Sequence, residues 1–100
     1  MANFRKRSNE QSLREAIEDM LNAYHYMDKI NEMQVIGLWD AIVGRLIARE
    51  TKGLFIRNKV LYVRLTSPVL KDELGYARSQ LIKKLNKGAG CEVITDIAFV

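Results

Sequence analysis

Leu13, Ile17, Met20, Leu21 and Tyr24 recur at spacings of three and four, the period of one stripe on an α-helix. Ser12 stands just ahead, with Glu15 three residues later, which fits a capping box opening that helix. Glu15, Glu18 and Asp19 would complement the positive end of its dipole. The stripe loosens over residues 25–28, where this helix is expected to end. A second helix is expected over about residues 31–49, with Val35, Trp39, Ile42, Val43, Leu46 and Ile47 on its buried side. Ile36 and Leu38 widen that side. Gly44, inside it, costs roughly 1 kcal/mol relative to alanine and reads as a place where another backbone approaches closely.

Thr51-Lys52-Gly53 breaks the helical pattern, and the period drops to two. Residues 54–57 and 60–66 read as the two strands of a β-hairpin, with Asn58 supplying a turn position that tolerates a left-handed backbone. Leu61, Val63 and Leu65 share one face of the second strand. Ser67-Pro68 then reads as a capped helix start, a serine followed by proline at the first helical position. Leu70, Leu74, Ala77, Leu81 and Leu85 mark the stripe of this helix, and Gly88 is expected at its C-terminal cap. Residues 93–100 form a third strand.

The resulting class is α+β in the order α-α-β-β-α-β. Three strands bury little alone, so the sheet must lay one face on the helices. The last strand could pair in parallel with residues 60–66 or antiparallel with residues 54–57, and the pattern does not choose. The 100 residues suffice for a single domain, with residues 1–10 expected as a flexible basic arm.

Composition narrows the class further. The 48% hydrophobic and 28% charged residues are those of a folded globular chain, not a disordered one. No apolar run reaches the roughly 18 residues of a membrane span. The basic start runs into Ser8-Asn9-Glu10-Gln11 and not into an apolar segment, unlike a signal peptide. Cys91 is the single cysteine, so no internal disulfide forms. These features place the protein in a reducing cytoplasm, away from membranes.

The net charge of +4 is unevenly spread: residues 1–7 carry +3, residues 8–50 carry −4 and residues 51–100 carry +5. Such a molecule can turn one face to a polyanion and another to a protein. The candidate phosphate contacts are Arg5, Lys6 and Arg7 on the arm, and Lys52, Arg57, Lys59 and Arg64 around the hairpin. Lys83, Lys84 and Lys87 add a group at a helix end. Basic side chains bind nucleic acid chiefly by releasing counterions from phosphates. Phe55 and Tyr62 lie among the hairpin charges and could stack on bases. The simpler expectation is that both pack on the helices, and Trp39 is expected in the core.

Catalysis finds no support. His25 and Cys91 are the only residues of their kinds, and nothing near either in sequence would activate it. A metal site would need several convergent ligands, so no metal or cofactor is expected. Gly88-Ala89-Gly90 follows a helix, whereas a phosphate-binding P-loop precedes one.

Several ordered segments together carry a resemblance. They are Trp39-Asp40-Ala41-Ile42-Val43-Gly44, then Ile47-Ala48 and Thr51-Lys52, then the hairpin over residues 54–63 with Asn58 before Val60-Leu61-Tyr62-Val63. Thr66-Ser67-Pro68-Val69-Leu70 with Glu73-Leu74, Leu81-Ile82-Lys83-Lys84-Leu85-Asn86 and residues 93–99 complete the series. In this order and spacing the chain resembles the DciA-like family of bacterial replication-initiation proteins. The resemblance implies a K-homology-like domain and a role in loading the replicative helicase onto DNA. It also implies two partners, the helicase and DNA, single-stranded or duplex. The sequence holds no GXXG loop, the backbone clamp of nucleic-acid-binding K-homology domains. The expected function is therefore a DNA-binding adaptor without catalysis. The alternative is a small interaction or scaffold protein without nucleic acid, pairing with itself or another protein through the hairpin edge or an apolar surface.

Overall fold

A computed structural model describes the backbone of residues 2–100 and the side chains of residues 12–100. The expected basic arm over residues 1–10, with Arg5, Lys6 and Arg7, lies outside the described side chains. The chain divides into two units, Met1–Ile30 and Asn31–Val100.

Helix α1 is assigned over Ala2–Val43. This corrects two expectations, because Ser12 lies within the helix instead of capping it and no end falls at residues 25–28. Residues 25–31 contain neither glycine nor proline. A loosened apolar period does not break a helix when every residue in it tolerates helical geometry. In the first unit Leu13, Ile17, Met20, Leu21 and Tyr24 are 45–64% exposed, so their stripe meets no core among the described residues.

In the second unit the helix breaks at Gly44, whose φ of 89° and ψ of 170° suit only glycine. Nothing lies within 4 Å of where a Cβ would stand at Gly44, so its role is conformational and not the close approach expected. The short helix α2 (Arg45–Glu50) follows, and Leu46, expected in the core, is 76% exposed. The close approach belongs to Gly88 instead, where a Cβ would stand 2.7 Å from Leu38 Cδ1. Gly88 lies inside its helix and packs on α1; Gly90, with φ 84°, takes the left-handed cap.

Strands β1 (Thr51–Arg57) and β2 (Val60–Leu65) pair antiparallel around Asn58 and Lys59, both at positive φ, 52° and 64°. Positive φ at both central residues is the signature of the hairpin turn that matches strand twist. The Ser67 Oγ accepts from the Leu70 N–H at 3.3 Å and opens α3 (Pro68–Tyr76) as expected. The single helix expected there is two, because the chain turns at Ala77 before α4 (Arg78–Ala89). Their apolar positions still form one stripe, with Leu74, Leu81 and Leu85 buried.

Strand β3 (Asp96–Phe99) is shorter than expected and pairs in parallel with β2, giving the order β1-β2-β3. Val93 and Ile94 are buried ahead of it without strand pairing. Asn86 holds this segment: its Oδ1 accepts from the N–H groups of Val93 (2.9 Å) and Ile94 (3.1 Å), and its Nδ2 donates to the Ile94 carbonyl at 2.8 Å. The Thr95 N–H donates to the Lys59 carbonyl at 2.8 Å, tying the hairpin turn to the start of β3.

One core joins the elements of the second unit: Val35 and Trp39 of α1, Leu61, Val63 and Leu65 of β2, Leu74, Leu81 and Leu85, and Val93, Ile94 and Ile97. The Trp39 Nε1–H donates to Thr51 Oγ1 at 3.0 Å, and that hydroxyl donates to the Ile47 carbonyl at 2.8 Å. A buried indole N–H without a partner would be costly. Thr51 removes that cost and fixes the root of the hairpin against the helix.

Candidate nucleic-acid interface

The alternation of β2 decides which way the hairpin faces. Leu61, Val63 and Leu65 point into the core with Leu81 and Leu85, so the helices lie on that side of the sheet. Val60, Tyr62 and Arg64 point the other way, and among the described residues none of the three belongs to the core or to the residues packed against it. Cross-strand register carries the division to β1, where Phe55 stands opposite Tyr62, Arg57 opposite Val60, and Gly53 opposite Arg64. It carries it to β3 as well, where Asp96 stands beside Val60 and Ala98 beside Tyr62.

This outer face holds a built feature. The Phe55 and Tyr62 rings are stacked, with centroids 4.7 Å apart and planes 9° from parallel. Phe55 remains 50% exposed. The expectation that both aromatics pack on the helices is therefore corrected. The β1 segment is apolar at three successive positions, Leu54, Phe55 and Ile56, and only the packing of β2 settles which of them turns outward.

Arg57, Lys59 and Arg64 are all exposed, Arg57 and Arg64 on the outer face and Lys59 in the turn. Lys52 is exposed at the start of β1, with its Nζ 3.5 Å from the Arg49 carbonyl. Residues 51–66 contain these four cations and no acidic residue. Asp96 is the acid on this face, on the far strand, and its Oδ1 lies 4.0 Å from Arg78 Nε. So weak and exposed a pair contributes little.

Lys83, Lys84 and Lys87 are exposed on α4, within the helical layer. Lys83 and Lys87 border a shallow depression with Asn86, Gly90 and Cys91. The expected basic residues thus form at least two separate groups, one on the hairpin and one on α4. Arg5, Lys6 and Arg7 lie outside the described side chains.

Sequence reasoning missed the positioning residues Thr51 and Asn86. In sequence Thr51 marks a helix break and belongs, like Asn86, to the segments that carry the family resemblance, and neither use shows the hydrogen bonds it makes. Asn86 is separated from its loop partners by seven and eight positions, beyond what a local pattern can report. Among the described residues no group of three or more His, Cys, Asp and Glu could hold a metal ion. Cys91 is free and exposed. Among the same residues no helix is long and apolar enough to cross a membrane.

One family model, described as Dna[CI] antecedent, DciA, matches residues 12–99. No curated protein and no solved structure matches the chain.

Proposed function

This chain belongs to the DciA family, and on that premise we propose that it is a non-catalytic DNA-binding adaptor assisting recruitment or loading of the replicative helicase. Family membership implies involvement in replicative-helicase loading. The observation that carries the DNA half of the proposal is the hairpin, whose outer face presents exposed Phe55, Arg57 and Arg64 and whose residues 51–66 are purely cationic among their charged side chains. A surface of that kind neutralises phosphates without reading sequence, as a protein acting along any stretch of unwound or duplex DNA requires.

The protein half rests on the first unit. Its apolar stripe of Leu13, Ile17, Met20, Leu21 and Tyr24 is exposed, and Glu15, Glu18 and Asp19 lie among those positions. An amphipathic helix with an uncovered apolar side is a usual way to seat on a partner's groove. The stripe also favours a second reading, an interaction domain without nucleic acid whose partner is a second copy or another protein. The two readings differ in what the hairpin does.

Affinity capture from the source cell, with and without nuclease, separates the partners. The replicative helicase should be recovered under both conditions. Recovery only without nuclease would reduce the link to shared DNA. Its absence under both would remove the helicase from the account.

A further inference from the structure

Charge neutralisation leaves one part of the outer face unused. Tyr62 covers one face of the Phe55 ring, since the two rings lie 9° from parallel with centroids 4.7 Å apart. Strand β1 is at the edge of the sheet, so the other face of the Phe55 ring turns away from β2 toward solvent. Phe55 is half exposed and belongs neither to the core nor to the residues packed around it. Its neighbours on this face of β1 are Gly53, without a side chain, and Arg57. A large ring with a free π-face, open ground on one side and a guanidinium on the other is suited to a flat ligand that carries negative charge.

We propose that this face is a base-stacking site for single-stranded nucleic acid. An unpaired base lies on the free face of Phe55 and extends the Phe55–Tyr62 stack to a third ring, while Arg57 and Arg64 hold neighbouring phosphates. The occupant is a single strand because paired bases present only their edges, and a duplex cannot offer a base face without unstacking. The site rests on the DNA-binding reading above and assigns it a strand form and a contact residue.

The test compares Phe55→Leu and Phe55→Tyr with the wild type. Leucine keeps apolar bulk and removes the π-face; tyrosine keeps the ring. Binding of a labelled single-stranded oligonucleotide and of its duplex is titrated at several salt concentrations, with melting temperatures as the control for folding. Phe55→Leu should bind the single strand roughly 5- to 150-fold more weakly, the range for loss of one base–aromatic stack. Its salt slope should be unchanged because no cation is lost. Duplex affinity should not move, and Phe55→Tyr should bind as the wild type does. A Phe55→Leu protein that keeps full single-strand affinity, or loses single-strand and duplex affinity alike, overturns the stacking site and leaves the DNA-binding reading in place. A wild type that binds neither oligonucleotide at low salt overturns both. Should Phe55→Leu melt early, Tyr62→Leu, which removes the supporting ring, is expected to show the same single-strand loss.

Discussion

Trp39→Ala should lower stability by roughly 3–5 kcal/mol, the range for truncating a large buried aromatic. Trp39 is fully buried in the core that joins α1 to the hairpin and the last helix. The loss has two parts. The cavity forfeits the packing of the indole, and Thr51 loses the N–H donated to its hydroxyl at 3.0 Å. For a domain of this size each kcal/mol moves the melting temperature by about 4–8 °C, and total stability is commonly only about 5–15 kcal/mol. Much of the population could then be unfolded at working temperature. Trp39→Phe separates the parts: it keeps most of the apolar volume and should lose about 1 kcal/mol for the missing hydrogen bond, plus a smaller packing term. Thermal melts of the three proteins measure this. A melting temperature for Trp39→Ala near that of the wild type would mean that the core is not built around Trp39.

Asn86→Ala should be the next most damaging, at about 2–4 kcal/mol. The change removes one carbonyl acceptor shared by two N–H groups and one donor to a carbonyl, all on the segment where Val93 and Ile94 are buried. An unmade bond at a buried donor costs roughly 1–3 kcal/mol. Asn86→Asp tests the assignment, because a carboxylate still accepts from Val93 and Ile94 but cannot donate to the Ile94 carbonyl. Its loss should fall between wild type and alanine. Hydrogen exchange should show the amides of residues 93–98 losing protection first, as this segment leads into β3. Equal stability of Asn86→Ala and wild type would deny Asn86 its positioning role.

Much of the second unit was legible because its signals are local. Asn58 followed by a period-two run marks the hairpin, and the left-handed residues Asn58 and Lys59 make that turn. Ser67-Pro68 marks a helix start, and the Ser67 hydroxyl makes the capping bond. Other features were misread because one residue type serves two geometries. Gly44 and Gly88 both sit in helical patterns, but Gly44 supplies a positive φ and Gly88 supplies clearance for Leu38. Nothing within a few residues of either distinguishes those uses. The continuity of α1 through residues 25–31 was hidden because the apolar period faded there while helix propensity did not. The parallel pairing of β3 with β2 joins residues 60–63 to residues 96–99, a separation that no local pattern encodes.

The candidate site was legible in its charges and not in its aromatics. Lys52, Arg57, Lys59 and Arg64 stand out in any reading of the hairpin. The outward turn of Phe55 and Tyr62 follows only once Leu61, Val63 and Leu65 are seen in the core, because strand alternation tells which residues share a face but not which face is covered. Exposure of the stripe at residues 13–24 was equally hidden, since amphipathic spacing looks the same whether the apolar side meets a core or is left for a partner.

The salt dependence of DNA binding, measured for the wild type and for an Arg57→Ala/Lys59→Ala double variant, tests the hairpin contact most directly. Log affinity should fall linearly with log salt, by about 0.9 per phosphate contact on duplex DNA and about 0.7 on single strands. Losing two exposed cations should weaken binding on every sequence and flatten the slope by roughly one to two units. Stability should move by no more than about 0.5 kcal/mol, as is usual for surface substitutions. An unchanged slope in the double variant would move the contact off the hairpin, to Lys83, Lys84 and Lys87 on α4 in the first instance. Absence of binding by the wild type at low salt would contradict the DNA-binding account altogether.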